Sequence, residues 1–251
     1  MTVQLARPEI RTYANLELAA LKAADQVQKT AAGAIRRHGF FTLVLAGGST
    51  PRRLYEILAS PPYSSRQAWQ DFHLFWGDER CVAPDRPESN FGMAKEALLD
   101  RVAIPAGNVH RMRAEVGAPA EAAATYEQEL RDFFALHPGR TADGYPRFDL
   151  VLLGLGEDGH TASLFPGSEA AGENEKWVAA AGPRGKPEVA RITMTLPVLN
   201  NADNVLFLVS GTAKQGVMRE IIDRPEAAAA RFPAARVQPK GHLYWFAAHG
   251  A

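Results

Sequence analysis

Hydrophobic residues along the chain follow two patterns, one helical and one typical of buried strands. Between residues 16 and 34, apolar side chains recur every three or four positions, which predicts a long amphipathic helix that ends near Gly39. Near-continuous apolar runs occur further along, and such runs are typical of parallel strands buried on both faces. We predict strands at residues 40–46, 72–76, 148–154, 205–210 and 243–247.

Helical patterns separate these predicted strands. We expect helices at residues 51–58, 89–99, 119–136 and 212–222, with Ser89 as the N-cap of the second. Strands that alternate with helices indicate a parallel sheet covered on both faces. The expected fold is therefore α/β: a single three-layer domain over residues 1–251, with a mostly parallel, Rossmann-like sheet and possible space for a small subdomain.

The remaining segments are predicted from their polar, glycine and proline content. A further strand is expected at residues 176–181, since the segment Lys-Trp-Val-Ala-Ala-Ala is apolar. Loops are expected at residues 137–147, 166–176 and 182–188. None of these loops is long enough to be a domain linker, which favours one domain.

Composition and charge narrow the classes of function. Lys plus Arg and Asp plus Glu number 28 each, so no global field attracts nucleic acid or an anionic membrane. The single cysteine, Cys81, excludes an intramolecular disulfide and fits a reducing compartment. The sequence shows no signal-peptide pattern and no apolar run of roughly 18 residues. We expect a cytoplasmic protein without nucleic-acid or membrane partners.

Residues 154–160, Gly-Leu-Gly-Glu-Asp-Gly-His, match the G-x-G-x-x-G fingerprint of dinucleotide-binding turns. A Rossmann turn also needs a long helix after the third glycine and an acid at the end of the next strand. Here Pro166 soon ends any helix, and the strand expected at 176–181 lacks the acid. The turn is instead expected to deliver Asp158 and His160 to the ligand-binding edge of the sheet. The structural alternative is a turn-forming Asp158 and a histidine that begins a short helix.

A second strand-end turn contains Gly47, Gly48, Ser49 and Thr50. We expect Ser49 or Thr50 to cap the next helix and Pro51 to take its first position. Free backbone N–H groups and the helix dipole then predict a phosphate site. The Walker lysine is absent and Pro51 replaces the last glycine of a nucleophile elbow, so phosphate binding by Ser49 is favoured over nucleophilic attack. A plain capped helix is the structural alternative.

Two further strand ends carry charged residues. Asp78, Glu79 and Arg80 follow the second predicted strand, and Arg80 suits bidentate binding of phosphate or carboxylate. The two acids could orient it, hold a substrate hydroxyl, ligate a metal or form structural ion pairs. Lys214 lies in the first turn of the last predicted helix, where a cation opposes the helix dipole unless an anion joins it. This placement predicts a ligand phosphate.

Taken together, these segments resemble the 6-phosphogluconolactonase family, in the superfamily that includes glucosamine-6-phosphate deaminase and ribose-5-phosphate isomerase. The resemblance covers nearly the whole chain, with the motifs in the family's order. They lie at residues 45–51, 77–99, 154–168, 191–202 and 210–215. The resemblance implies hydrolysis of 6-phospho-D-glucono-1,5-lactone to 6-phospho-D-gluconate, the second step of the oxidative pentose phosphate pathway, without a cofactor.

The resemblance also implies roles for individual residues. His160 is the expected general base that activates water. Residues 47–50, Arg80 and Lys214 are expected to surround the substrate, and Asp78 is expected to bind it with them. The expected partner is thus a small-molecule phosphosugar lactone, and we expect the enzyme to be a monomer.

The residues support this chemistry independently. A δ-lactone is an activated ester, whose hydrolysis needs one attack by water and stabilisation of an oxyanion by a cation or backbone N–H. A histidine with a pKa of about 6.5 accepts a proton from water at neutral pH, and Asp158 is near enough along the chain to fix its tautomer. No metal is expected, because no other His or Cys lies at ligand spacing.

Two alternatives remain at this point. An isomerase or deaminase of the same superfamily needs more acid/base groups, and the deaminase motif resembles D-G-H-I-A-F-N-E-P. Here Phe165 replaces the glutamate before the proline, which disfavours deamination. A non-catalytic sugar-phosphate sensor would be expected to carry a partner module such as a DNA-binding helix pair, and the sequence offers no segment for one.

Overall fold

The computed structural model describes residues 8–249, and the elements below belong to that range. The strands are β1 (Glu9–Tyr13), β2 (Phe41–Leu45), β3 (Phe72–Trp76), β4 (Asp78–Arg80), β5 (Val109–His110), β6 (Thr141–Ala142), β7 (Tyr145–Pro146), β8 (Leu150–Leu153), β9 (Val178–Arg184), β10 (Val189–Met194), β11 (Asn204–Ser210) and β12 (His242–Ala248).

The helices follow the same chain order. They are α1 (Leu16–His38), α2 (Ser49–Leu58), α3 (Tyr63–Arg66), α4 (Asn90–Ala97), α5 (Pro119–Ala135), α6 (Glu169–Gly172), α7 (Leu196–Asn200), α8 (Thr212–Asp223) and α9 (Pro225–Ala229). Short 3₁₀ turns lie at Trp69–Asp71, Leu99–Arg101, Ala106–Asn108 and Pro233–Arg236. None of the helices between residues 8 and 249 combines the length and hydropathy that crossing a membrane requires.

A seven-stranded parallel sheet forms the centre of the fold, in the order β1-β12-β11-β8-β2-β3-β5. All residues of β2 and β8 are buried. Because successive side chains of a strand point to opposite faces, this burial means that both faces of the sheet are covered. The α/β fold class expected from the apolar runs is confirmed, and each of the five runs contributes one strand to this sheet.

The order of the strands defines a switch point between β2 and β8. From β2 the chain proceeds to β3 and β5 on one side, and it later returns to build β8, β11 and β12 on the other. A crevice opens outside the carboxyl ends of the strands where the order reverses, and open α/β sheets bind ligands there.

The long first helix begins and ends as its sequence predicts. The Asn15 side chain accepts a hydrogen bond from the Leu18 backbone N–H at 2.9 Å, which caps the amino end of α1. Gly39 has a φ of +88° and ends the helix in the left-handed region that glycine adopts without a steric penalty. The prediction of a helix ending near Gly39 is confirmed.

A second, three-stranded antiparallel sheet has the order β4-β10-β9. A loop was predicted at 182–188, and this prediction was wrong for residues 182–184, which extend β9. Local glycine and proline content favours a turn there, but β9 is an edge strand, where sheets tolerate proline. The β9–β10 hairpin reaches the ligand-binding edge of the main sheet, because β10 pairs with β4 directly beyond β3.

Candidate active site

One cleft contains every residue that the sequence analysis assigned to the site. It has a volume of about 460 Å³ and lies at the carboxyl ends of β2, β8 and β11. The predicted residues that line it are Gly47, Gly48, Ser49, Thr50, Asp78, Arg80, Asp158, His160 and Lys214. The fold therefore brings together segments far apart in the sequence, at the edge where the parallel strands end.

Asp158 and His160 form a hydrogen-bonded pair on the turn after β8. The Nδ1 atom of His160 lies 2.5 Å from Oδ1 of Asp158, which also accepts the backbone N–H of His160 at 3.1 Å. The hydrogen bond from the histidine holds the pKa of Asp158 below its usual range, although burial opposes this. Because an ionised carboxylate only accepts hydrogen bonds, Nδ1 carries the proton and Nε2 of a neutral ring keeps its lone pair.

The turn that carries this pair is not the start of a helix. Residues Thr161 and Leu164 form an isolated antiparallel bridge, which excludes the alternative of a short helix beginning at His160. The His160 ring packs against the ring of Phe165, with the centroids 4.5 Å apart. The His160 ring is held in place by this packing contact together with the Asp158 hydrogen bond.

The glycines of the turn make space for the histidine. A Cβ atom on Gly156 would lie 2.0 Å from Nδ1 of His160, and one on Gly159 would lie 2.3 Å from the Phe232 ring. Gly159 also has a φ of +79°, which side-chain-bearing residues rarely adopt. The G-x-G-x-x-G spacing is thus explained by a tight turn around His160 and needs no nucleotide.

The turn after β2 starts its helix earlier than expected. Gly48 has a φ of +101° and precedes α2, no side chain caps the helix, and Ser49 is its first residue. The prediction of Ser49 or Thr50 as N-cap, with Pro51 in the first position, was wrong because the left-handed Gly48 begins the helix sooner. The uncapped first turn leaves backbone N–H groups without helical acceptors, which is the arrangement that binds anions.

Two buried side chains hold the Gly47–Gly48 turn in position. The Tyr55 hydroxyl accepts the Ala46 backbone N–H at 2.9 Å and donates to the Ala46 carbonyl at 2.8 Å. Burial raises the pKa of Tyr55 far above its usual value, so the hydroxyl stays protonated. The Asn90 side chain lies against Gly47, where a Cβ atom would come within 1.8 Å of its Oδ1. Gly47 therefore has a steric role at this close approach.

Glu79 has a structural role and is buried beneath the cleft. Its carboxylate accepts the backbone N–H groups of Arg80, Asn90 and Phe91 at 2.7–2.8 Å and the Ser89 hydroxyl at 3.1 Å. Burial raises the pKa of Glu79, and these backbone donors oppose that effect. Ser89 in turn caps α4 by accepting the Gly92 N–H, as its sequence position predicts. Glu79 thereby fastens β4 to the start of α4.

Asp78 lines the cleft, but its carboxylate oxygens already have protein partners. Oδ2 accepts the Ser163 hydroxyl at 2.5 Å, and Oδ1 accepts an N–H of the Asn90 amide at 3.3 Å. The Ser163 backbone N–H donates to the Thr193 hydroxyl at 3.2 Å. Asp78 consequently links β4 to the turn that carries His160, a contact that the sequence analysis did not anticipate.

Among residues 8–249, four cationic side chains line the cleft, and only two of them were predicted. Arg80 and Lys214 were predicted, whereas Arg191 and Lys186 come from the β9–β10 hairpin. Arg80 donates from Nη1 to the Glu88 carbonyl at 2.6 Å, which fixes one side of its guanidinium. The available signal for Arg191 was its place as the first residue of the motif at 191–202.

Arg191 is almost entirely buried, with 3% of its surface exposed. It donates from Nη2 to the Pro187 carbonyl at 2.9 Å, and its Nη1 lies 3.9 Å from Oδ2 of Asp78. Burial lowers the pKa of this guanidinium, which nevertheless stays charged at neutral pH because an ordinary arginine pKa is so high. The cleft therefore presents a desolvated positive charge beside Asp78.

Cys81 does not have the surroundings of a catalytic nucleophile. Cys81 is a free, half-buried thiol whose pKa is raised by burial, so it lacks the thiolate character of a catalytic cysteine. Within residues 8–249, no three His, Cys, Asp or Glu side chains are grouped as metal ligands would be. The cleft combines one hydrogen-bonded Asp–His pair with several cations.

Known proteins share this sequence and this geometry. The sequence profile of the family described as glucosamine-6-phosphate isomerases/6-phosphogluconolactonase matches residues 14–245. A 6-phosphogluconolactonase of Synechocystis sp. is 42% identical over 240 residues, which are 95% of this chain and 94% of that protein. A protein of Arabidopsis thaliana named probable 6-phosphogluconolactonase 1 is 37% identical, and the match covers 96% of this chain and 91% of that protein.

Solved structures give the same result. The 6-phosphogluconolactonase from Thermotoga maritima has a TM-score of 0.80 and 31% identity, with 96% of this chain and 99% of that chain covered. The 6-phosphogluconolactonase from Trypanosoma cruzi has a TM-score of 0.84 and 29% identity, with 98% and 96% covered. Since the family profile and the relatives span nearly the whole sequence, the chain belongs to the glucosamine-6-phosphate isomerase/6-phosphogluconolactonase family.

Proposed function

We propose that this chain hydrolyses 6-phospho-D-glucono-1,5-lactone to 6-phospho-D-gluconate, with His160 as the general base. The observation that carries the proposal is the Asp158–His160 pair, 2.5 Å apart, in a cleft lined by four cations. The pair provides a base for water and the cations suit a phosphorylated, oxyanion-forming substrate. The names of the relatives point to the same reaction.

The hydrolytic step balances with water as the only co-reactant. Nε2 of His160 takes a proton from water while the water oxygen bonds to C1 of the lactone, and the carbonyl electrons move to its oxygen. Asp158 stabilises the resulting imidazolium through Nδ1–H. The tetrahedral intermediate then collapses, the bond between C1 and the ring oxygen breaks, and His160 returns its proton to that oxygen. The product acid loses a proton to solvent at neutral pH.

The cations are proposed to bind two different negative groups of the substrate, the phosphate and the oxyanion at C1. The phosphate is present throughout the reaction, whereas the oxyanion at C1 exists only in the intermediate. Arg80, Arg191 and Lys214 are the proposed donors to these groups, together with the uncapped first turn of α2 at Ser49 and Thr50. Variants separate the two roles, because loss of a phosphate contact raises KM and loss of an oxyanion contact lowers kcat.

Asp78 is better suited to positioning than to direct substrate binding. Its hydrogen bonds to Ser163 and Asn90 join the His160 turn, β4 and α4 into one unit. We therefore propose that Asp78 keeps His160 at the correct distance from the lactone. This refines the sequence-based prediction, in which Asp78 contacts the substrate.

Deamination of an amino sugar phosphate is less well supported by the same site. Phe165 occupies the position of the deaminase motif's glutamate, and its ring packs on His160 with the centroids 4.5 Å apart. An apolar ring at this place supplies no acid or base for enolisation. The site favours a reaction that needs one proton acceptor over one that needs several.

The decisive assay follows acid release from freshly generated 6-phosphogluconolactone, with the spontaneous hydrolysis subtracted. We expect rapid, enzyme-dependent turnover of this lactone. Glucosamine 6-phosphate serves as the control substrate, and we expect no release of ammonia from it. Ammonia release, or a lactone rate no greater than the spontaneous one, would contradict the proposal.

We also propose that the enzyme works as a monomer, with residues 1–251 as one domain, in the cytoplasm and without a nucleic-acid partner. The balance of 28 basic and 28 acidic residues supports the absence of nucleic-acid binding. Light scattering on the purified chain tests the oligomeric state. The chain has a mass of 27.3 kDa, and a measured mass twice that value would contradict the monomer.

A further inference from the structure

A second large cleft lies at the opposite edge of the main sheet, at the amino ends of β11 and β12. It has a volume of about 690 Å³. We call it the basic cleft, and its charged lining residues are Lys29, Arg36, Arg37, Arg140, Arg147 and Asp203. We propose that the basic cleft binds a small metabolite with at least two anionic groups, of the class of phosphate esters and diphosphates.

The charge of the basic cleft is the first support for this proposal. Among residues 8–249, five cations line it, while the carboxylates that face them are those of Asp203 and of the buried Asp149, which leaves three positive charges in excess. The whole chain has a formal net charge of zero, so this excess is local. A concave surface with a one-signed charge concentrates ligands of the opposite sign.

The two arginines of the inner wall are already fixed by protein groups. Arg140 donates to Asp203, to Asp149 and to the Arg147 carbonyl at 2.6–2.9 Å, and only 12% of its side chain is exposed. Arg147 donates from Nε to Asp203 at 2.5 Å. These bonds set the wall in one geometry, so a ligand would meet a preorganised surface.

The outer cations are available to a ligand. No residue between 8 and 249 forms a hydrogen bond or ion pair with the side chain of Lys29 or Arg36, both of which are exposed. Arg37 lies 3.7 Å from Asp149, but 57% of its side chain is exposed. Basic residues in the last turn of a helix are expected from the helix dipole alone, which accounts for Arg36 and Arg37. Lys29 lies about two turns earlier, outside the reach of that explanation.

The side of α1 that faces the basic cleft leaves space for a ligand. Gln26, Lys29, Gly33 and Arg36 recur every three or four residues and therefore share one side of the helix. Gly33 carries no side chain, and a Cβ atom there would lie 3.2 Å from Nη1 of Arg37. The volume falls in the range of small-molecule pockets, and its concave form suits a metabolite better than a polymer.

The basic cleft and the candidate active site are at the two ends of the same strands. β11 runs from Asn204, which lines the basic cleft, to Ser210, which precedes α8 and Lys214. Seven residues of strand span roughly 20 Å, so one small ligand cannot reach both. Binding at the basic cleft is therefore separate from the proposed hydrolysis and does not depend on it.

Titration calorimetry with inorganic pyrophosphate as the probe tests the proposal. The starting protein is Arg80→Ala/Lys214→Ala, because we expect these changes to weaken phosphate binding at the candidate active site. We expect it to bind one equivalent of pyrophosphate, and the further change Lys29→Ala/Arg36→Ala to weaken that binding at least about tenfold. Both added changes remove exposed side chains without partners among residues 8–249, so folding is retained.

The matched control adds Arg66→Ala/Arg101→Ala to the same starting protein. It removes the same charge from exposed positions outside the basic cleft. We expect pyrophosphate to bind this control within about twofold of the starting protein, and acetate at equal ionic strength not to displace it. The proposal is overturned if the Lys29/Arg36 change has no effect, if the control loses as much affinity, or if acetate competes.

Discussion

The two ends of the parallel sheet carry clefts that are built in different ways. At the carboxyl end, strand-end turns position Asp158 and His160, whose side chains remain 52% and 30% exposed. At the amino end, a helix face and two arginines surround Asp149, which is fully buried. An Asp–His pair occurs in each place, Asp158–His160 at the carboxyl end and Asp149–His38 at the amino end. The first pair is partly exposed in a cleft, whereas the carboxylate of the second is buried within the fold.

The contacts of Asp149 stabilise the amino end of the main sheet. Oδ2 of Asp149 accepts the backbone N–H and the hydroxyl of Thr42, each at 2.9 Å, and Oδ1 lies 2.9 Å from both Nε2 of His38 and Nη2 of Arg140. These contacts join Asp149 to β2, to the last residue of α1 and to the loop that carries Arg140. A buried charge of this kind is tolerated only because its hydrogen bonds are complete.

The largest expected effect is the loss of catalysis on removal of the general base. We expect His160→Ala to lower kcat for 6-phosphogluconolactone by about 10²- to 10⁴-fold while 6-phosphogluconate still binds, because the cations are untouched. Stopped-flow acid release and calorimetry measure the two quantities. The control is His242→Ala at the amino end of β12, with kcat expected within about twofold of the unaltered chain. Unchanged turnover of the His160 variant would rule out the general-base role.

The next effect compares the same conservative change at the two carboxylates. We expect Asp149→Asn to reduce the free energy of unfolding by about 3 kcal/mol, because His38 and Arg140 lose a buried ionic partner. For Asp158→Asn we expect a loss below about 1 kcal/mol, since that carboxylate is half exposed, but a large decrease in kcat. Urea denaturation and the lactone assay measure these changes. Equal losses of stability would contradict the contrast between the two clefts.

A smaller effect separates binding of the phosphate from chemistry at C1. We expect Arg80→Ala and Lys214→Ala each to raise KM for the phosphorylated lactone by about 10- to 100-fold, because a charged hydrogen bond is lost. Unphosphorylated gluconolactone should respond much less. Initial rates on both lactones provide the comparison, with Arg66→Ala as the exposed-arginine control. If both lactones were impaired equally, these residues would not be phosphate contacts.

The smallest effect is a pH dependence of stability at the amino end of β3. Burial, with smaller contributions from His110 and His137, lowers the pKa of His73 to about 4. The unfolded chain therefore binds more protons than the folded one between pH 6.5 and about 4, and stability decreases as the pH falls through this window. We expect this decrease to be shallower in His73→Phe, by about 1 kcal/mol or less because the ring is only half-buried.

Urea unfolding at a series of pH values measures this difference, with His249→Phe, an exposed position, as the control. The His73 change should alter the slope between pH 6.5 and 4, while the control should leave it as it is. Parallel curves for His73→Phe and the unaltered chain would contradict the assigned cause.

Much of the fold was predictable because burial leaves a direct pattern in the sequence. The strand predicted at 40–46 is a near-continuous apolar run, and β2 is buried on both faces. The exposed edge strand β1, Glu9–Tyr13, has no such run and was missed. β4 and β10 were missed for a related reason, since their polar residues are buried by contacts with distant segments.

The candidate site was partly predictable for a similar reason. Asp158, His160, Arg80 and Lys214 each follow a strand, and parallel strands bring their carboxyl ends to one edge. Arg191 does not follow a strand of the main sheet. It reaches the cleft only because β10 pairs with β4, which places Arg191 opposite Arg80. The hydrogen bond between Asp78 and Ser163 joins residues 85 positions apart, which no local pattern records.

The sequence by itself determined the elements and the edge at which the reactive residues gather, because alternation of strands and helices and the position of a turn are local properties. The tertiary structure alone decided which charged groups are neutralised and which stay free. Asp149 meets Thr42 and His38 across more than 100 residues, while Lys29 and Arg36 meet no partner among residues 8–249. The physical reason is that the energy of a charge depends on its burial and neighbours, which are set only when distant segments pack.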